Sequence, residues 1–299
     1  MNLALCTVAA CSDSAPRRET VGDSAVVATD DVGRRVELTR PARRVVSLLP
    51  AATETVAALG APARVVGRTR YDTEEWLAHL PSVGGGLDPN LEAIVALRPD
   101  LVVAWESPTG SKVRDRLEAL GIPVYAAATR DTAAIYRTIV GLGRLLGRNA
   151  AADSLAGHIR AQLDSVRASV PAGPRPSVLY VVAVDPPMIA GTDNFISELI
   201  EVAGGKPVAI SGDRKGLSPQ VSLEELIRRQ PEVVILPVGE DPAVDLERLQ
   251  REPGWRELAA IRSGRAAEVP ALLVNRPGPS IGEMAKVLRE VLRTHGEPR

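Results

Sequence analysis

The chain has two cysteines among 299 residues, Cys6 and Cys11, and both lie in its first eleven. No disulfide therefore staples the body. Histidine is nearly as scarce: His79, His158 and His295 are too scattered for a recognisable His-rich metal site. Net charge is missing as well. With 36 Lys and Arg against 37 Asp and Glu, the electrostatic footprint of a nucleic-acid binder is excluded. Beyond the N-terminus no stretch reaches the roughly 18 apolar residues of a membrane span. Aromatic residues make up 3%, with a single Phe. The apolar share of 45% still supports sizeable cores, and the length suits two domains of about 100–200 residues each.

What is present includes a repeated phrase. Leu91-Glu92-Ala93-Ile94 runs to Arg98-Pro99-Asp100-Leu101-Val102-Val103, and Leu223-Glu224-Glu225-Leu226 runs to Gln230-Pro231-Glu232-Val233-Val234-Ile235. In each copy Leu-Glu opens a short amphipathic helix, a Pro ends it, and an acidic residue leads into a β-branched run suited to a buried parallel strand. Two copies on either side of the midpoint point to two similar α/β lobes. Clefts between domains are preferred sites for small molecules. The same phrase is also a common α/β connection that arises independently.

At the N-terminus, the apolar segment Met1–Ala10 ends Val8-Ala9-Ala10-Cys11-Ser12, which looks like a bacterial lipobox with Cys11 as the lipidated residue. Cys6 follows bulky Leu5 and suits the processing enzyme less well. Residues 12–28 read as a tether. Asp30 to Leu38 reads as a hairpin turning near Gly33. From Arg44 strand and helix alternate, as expected of a parallel sheet. Strands are expected at Val45–Leu49, Arg64–Gly67, Leu101–Ala104 and Ile122–Ala127, with helices from Pro50 and over Val113–Leu120. Thr132–Gly147 and Ala150–Ser169 then read as consecutive helices, the second keeping Leu155, Ile159, Leu163 and Val166 on one face. About 20 helical residues span roughly 30 Å, enough for a stiff strut between lobes. Alternation resumes with strand Val178–Val184, helix Asn194–Ala203, the repeated unit, a strand over Leu272–Val274 and a helix over Ile281–Leu292.

In this order the pieces resemble the iron/B12-type periplasmic binding proteins, the substrate receptors of bacterial ABC importers. The likeness runs from about Arg44 to the C-terminus. It is densest over Arg44-Val45-Val46-Ser47-Leu48-Leu49-Pro50-Ala51-Ala52-Thr53-Glu54 and over Asn90 to Trp105. The resemblance implies two α/β lobes with parallel sheets flanked by helices, bridged by one long rigid helix. The expected division is 1–28 signal remnant and tether, 29–148 N-terminal lobe, 149–171 bridging helix and 172–299 C-terminal lobe. It implies a non-enzymatic receptor without a catalytic cofactor, acting as a monomer on the outer face of the cell membrane or in the periplasm. Its partners would be an ABC permease and ATPase subunits. The ligand would be a cobalamin-like corrinoid, with a ferric siderophore or haem as the alternative.

Strand C-terminal ends and helix N-termini supply binding groups in open α/β sheets. By that rule Pro50, Tyr71, Trp105, Asp185, Met188 and Arg276 are candidate ligand-binding residues. Each is equally an ordinary loop or core position. Arg276 suits a ligand carboxylate or phosphate, or else is solvated. Against the cobalamin-binding members the chain departs at three places. Gly84-Gly85-Gly86 stands near one of their tryptophans, Met188 where an aromatic follows the double Pro, and Leu273 near a second cleft tryptophan. Most of an aromatic cage is therefore missing, although a Met thioether also packs on a macrocycle. The resemblance further implies permease docking through one surface glutamate per lobe. Glu92 matches the first; the second position holds Asn275 instead of a glutamate, with Glu283 nearby as a substitute. A carboxylate at Glu92 also simply favours the helix dipole.

Two glycine-containing motifs bear on enzyme function. Gly278-Pro279-Ser280-Ile281-Gly282 matches the hydrolase pattern G-x-S-x-G. Only 19 residues follow Ser280, with Glu283, Glu290 and His295 but no Asp. Gly141 to Gly147 does not fit G-x-G-x-x-G and follows a helix, and no phosphate-binding G-x-x-x-x-G-K-[ST] occurs, so ATP hydrolysis would belong to a partner chain. Glu74-Glu75 reads as a solvated helix start. A lobe pair serving as a sensor or structural partner is a further alternative.

Overall fold

A computed structural model describes residues 24–192, 194–209, 218–239 and 245–296. The lipobox, with Cys6 and Cys11, lies outside the described residues. The chain opens with the antiparallel hairpin β1 (Val26–Thr29) and β2 (Arg35–Leu38), which turns through Gly33 at φ +81°. Buried Asp31 ties this hairpin to the body by accepting from the Ala128 N–H at 2.8 Å and the Thr138 hydroxyl at 2.6 Å.

Alternation then builds a four-stranded parallel sheet. Its pieces are β3 (Val45–Ser47), α1 (Pro50–Ala58), β4 (Val65–Gly67), α2 (Leu91–Ala96), β5 (Leu101–Trp105), α3 (Pro108–Ala119), β6 (Val124–Ala127) and α4 (Thr132–Leu145), with the strands ordered β4-β3-β5-β6. Next comes α5 (Asn149–Ala168), whose buried face is Ala152, Ala156, Ile159, Leu163 and Val166. Small residues let it approach α4 closely: a Cβ on Gly143 would lie 2.4 Å from the Ala152 methyl.

The second sheet is built from β7 (Ser177–Val184), β8 (Pro187–Ile189), α6 (Phe195–Val202), β9 (Lys206–Pro207), α7 (Leu223–Arg229), β10 (Val233–Val238), α8 (Leu246–Arg251), α9 (Ala259–Arg262), β11 (Ala266–Pro270), α10 (Ala271–Val274) and α11 (Ile281–His295). Strands β11-β10-β7 are parallel, β9 pairs parallel to the start of β7, and β8 folds back antiparallel on its end. Alternate residues serve opposite faces. Val178, Tyr180, Val233 and Ile235 join the core continuous with α5 and the first sheet. Leu179, Val181, Val234 and Leu236 join a second core with Trp255. Helix α5 packs on α4 on one side and on α6 and α11 on the other, so it bridges the two lobes.

The repeated phrase has the same physical job in both lobes. Asn90 and Ser222 cap α2 and α7 through the Ala93 and Glu225 N–H groups. Arg98 and Gln230, the residues before Pro99 and Pro231, are the only non-glycine positions of positive φ among the described residues, at +46° and +43°. The acid after each Pro then accepts from the backbone leading into the neighbouring strand: Asp100 from the Arg43 and Arg44 N–H groups, Glu232 from the Ser177 N–H. One expectation is corrected. Leu272–Val274 is not a strand: β11 ends at Pro270 and the next four residues form α10. A short apolar run does not distinguish strand from helix by pattern alone, and Leu272 is 49% exposed, which a buried central strand would not permit.

Candidate functional site

The C-terminal ends of β3 and β5 and the loop after β6 open on one side of the first sheet, facing the segment after α10. A cavity of about 550 Å³ lies between them. Leu48, Leu49, Pro50 and Ala51 form its floor, with Pro50 at the first turn of α1. Trp105, the last residue of β5, and Tyr71 stand on its walls, and Leu87 closes a third side. These three side chains are 39%, 56% and 46% exposed. Large apolar groups left half in water around one hollow form the kind of surface that a flat ligand covers. The other lobe contributes Asn275, Arg276 and Pro277.

Gly86 explains how the loop bearing Leu87 reaches the floor: a Cβ there would lie 2.4 Å from the Leu48 carbonyl oxygen. The glycine run is thus a close backbone approach, and any larger side chain at Gly86 would push the wall away. Behind Trp105, Gly110 plays a similar part, because its Cβ would meet the Trp105 carbonyl oxygen at 1.8 Å.

Arg276 differs from both sequence expectations. It is buried, 8% exposed, and crosses the seam into the first lobe. It donates to Glu54 Oε1 of α1 at 2.9 Å, to Glu74 Oε1, and to the Tyr71 carbonyl oxygen at 3.1 Å. Glu74 is correspondingly not a solvated helix start but half of this clamp. Burial pushes the Glu54 carboxyl above its usual range, and the Arg276 hydrogen bond and charge recover only part of that shift. Burial also opposes the Arg276 charge, but Glu54 and Glu74 outweigh it and hold the guanidinium more firmly protonated. Asn275 is held by the Tyr180 hydroxyl, which donates to its Oδ1 at 2.9 Å.

Of the residues singled out from sequence, Pro50, Tyr71, Trp105 and Arg276 come together at this cavity. Asp185 and Met188 do not line it; Met188 is half-buried in β8, paired with Ala183 and bridged to Gln220. Glu92 is exposed in the first turn of α2, close in sequence to the Gly86–Asp88 wall. Glu283 is exposed in the first turn of α11, shortly after Pro277, and is held by Gln162 at 2.5 Å and Lys286 at 2.8 Å. Ser280 begins α11, and His295 closes the far end of that helix, roughly 20 Å away along its axis. Leu87, Glu54 and Glu74 were missed from sequence. For Leu87 the signal was a large apolar residue amid Gly and Asp, whereas nothing local marks the two glutamates. A second hollow of about 570 Å³ beside β4, with Trp76 and His79, lies within one lobe.

Two parallel-sheet lobes on a helical strut, with an apolar cleft at the seam, define a two-lobed binding protein. A model of a family described as periplasmic binding protein matches residues 45–272, and the chain belongs to that family. It is 27% identical over 300 residues to an uncharacterised ABC transporter substrate-binding lipoprotein, YvrC, of Bacillus subtilis, covering 96% of this chain and 93% of the relative. It is 31% identical over 267 residues to a cobalamin-binding protein of Halobacterium salinarum, covering 86% and 71%. The crystal structure of the periplasmic vitamin B12 binding protein BtuF of Vibrio cholerae superposes with a TM-score of 0.74 at 25% identity, covering 86% of this chain and 99% of that one. Other solved structures of this fold include periplasmic heme-binding proteins. The chain is therefore a substrate-binding protein of the B12, iron-siderophore and haem kind that serves ABC importers.

Proposed function

We propose that the inter-lobe cleft captures a cobalamin-like corrinoid and that the chain, anchored by a lipid on Cys11 and the tether to residue 28, delivers it to an ABC permease. In this reading residues 29–148 and 172–299 are the lobes and 149–171 the strut between them. The observation that carries the proposal is the convergence of exposed Tyr71, Leu87 and Trp105 on one hollow between the lobes. The relatives named for vitamin B12 or cobalamin support the same ligand class. No catalytic step is assigned: the work is affinity in the cleft and docking through the exposed Glu92 and Glu283. Ser280 would need a histidine partner, and among the described residues its hydroxyl makes no hydrogen bond to one.

Titration of the purified protein with cyanocobalamin, cobinamide, haem and a ferric siderophore, followed by Trp fluorescence, tests the proposal. Saturable quenching by the corrinoids is expected, with most of the signal removed by Trp105→Phe. Tight binding of haem or the siderophore with no response to either corrinoid would overturn the corrinoid assignment.

A further inference from the structure

We infer that this cleft discriminates by charge, accepting uncharged, amide-bearing or cationic ligands over polycarboxylates and other anions, and that Glu54 and Glu74 set that preference. The inference rests on the cleft being the binding site proposed above.

Among the described residues the cavity wall carries two charged side chains, Asp88 and Arg276. Neither is free. Arg70 pairs with Asp88 at 2.8 Å, and Arg276 is held by Glu54 and Glu74. Arg130, next to the wall residue Thr129, pairs with Glu106 at 3.4 Å. Every one of these cations therefore already faces a carboxylate. Around Arg276 the balance is negative: Glu54 and Glu74 contact it, and Asp72, 2% exposed, lies close enough to act on Glu54.

An anionic ligand reaching Arg276 must displace a protein carboxylate or sit against this surplus. Displacement leaves a carboxylate at the seam without its partner, which is costly. A ligand without negative charge displaces no carboxylate and leaves the Arg276 clamp to Glu54 and Glu74 intact. The apolar walls meanwhile supply affinity that is indifferent to charge.

Two matched pairs test the inference by calorimetry: cobinamide against cobyrinic acid, which carries carboxylates in place of the amides, and a neutral ferric trihydroxamate against an anionic ferric tricatecholate. In any pair that binds, the non-anionic member is expected to bind at least about tenfold more tightly. Glu74→Gln, and Glu54→Gln with Glu74→Gln where it folds, should narrow that gap by raising the affinity of the anionic member alone. Equal or tighter binding of the anionic member to the unmodified protein overturns the inference. If neither corrinoid binds but the trihydroxamate outcompetes the tricatecholate, the corrinoid assignment fails and the charge rule stands. Failure of all four to bind removes the cleft as a site and the charge rule with it.

Discussion

At the scale of single residues, the site depends on side chains placed against their usual preference. Trp105 and Tyr71 keep much of their surface in water, and Arg276 is buried where a guanidinium seldom goes. Trp105→Ala removes a wall and should weaken ligand binding by at least about tenfold while leaving the melting temperature nearly unchanged, because the side chain is half solvated. Glu54 gives a pH signature. Its folded-state affinity for a proton exceeds the ordinary value of 4.5, chiefly through burial. The stability linked to that shift is fully present below the ordinary value and is lost as pH rises through the raised folded one. Denaturation of the wild type and Glu54→Gln at pH 4 and pH 7 should therefore show the difference moving in the variant's favour at the higher pH. Movement toward the wild type would contradict the assignment.

At the scale of elements, the repeated unit shows why a short phrase recurs. The acid after each Pro satisfies N–H groups entering the adjacent parallel strand, which have no ladder partner there. The residue before each Pro must adopt a left-handed backbone, which costs a non-glycine residue about 1–2 kcal/mol. Arg98→Gly should stabilise the protein by about 0.5–1 kcal/mol in urea denaturation. Gln230→Gly should gain less, because the Gln230 Oε1 also accepts from the Ala259 N–H at 2.8 Å. Gly110→Ala tests the turn behind Trp105: lost ligand affinity together with lost stability is expected, since its Cβ has no room beside the Trp105 carbonyl. The repeated helix–strand units and the strut were legible in sequence because their signals are local and periodic. The α10 segment was not, because four apolar residues carry no period.

At the scale of the whole molecule, the lobes are joined by α5 packing on both sides and by Arg276 reaching across the seam. Such a frame permits only modest closure. Small-angle scattering curves with and without ligand should nearly superimpose, and a large compaction would show that the strut bends. Docking should be separable from binding, because Glu92 lies on the surface outside the cavity. Glu92→Ala should cut uptake in cells while leaving the affinity of the purified protein unchanged.

Local chemistry in the chain was enough to determine most of its elements: the β-branched strands, the paired α/β units and the long amphipathic spacer follow from residues a few positions apart. It also marked Pro50, Tyr71, Trp105 and Arg276 as residues able to meet a ligand, together with Asp185 and Met188, which do not line the cavity. Tertiary structure alone decided what those residues do. The Arg276 partners lie 202 and 222 positions away in sequence, and no local pattern encodes a contact that exists only when two lobes close against one strut. That same contact ties the guanidinium to two carboxylates of the other lobe and leaves a hollow lined mostly by apolar side chains.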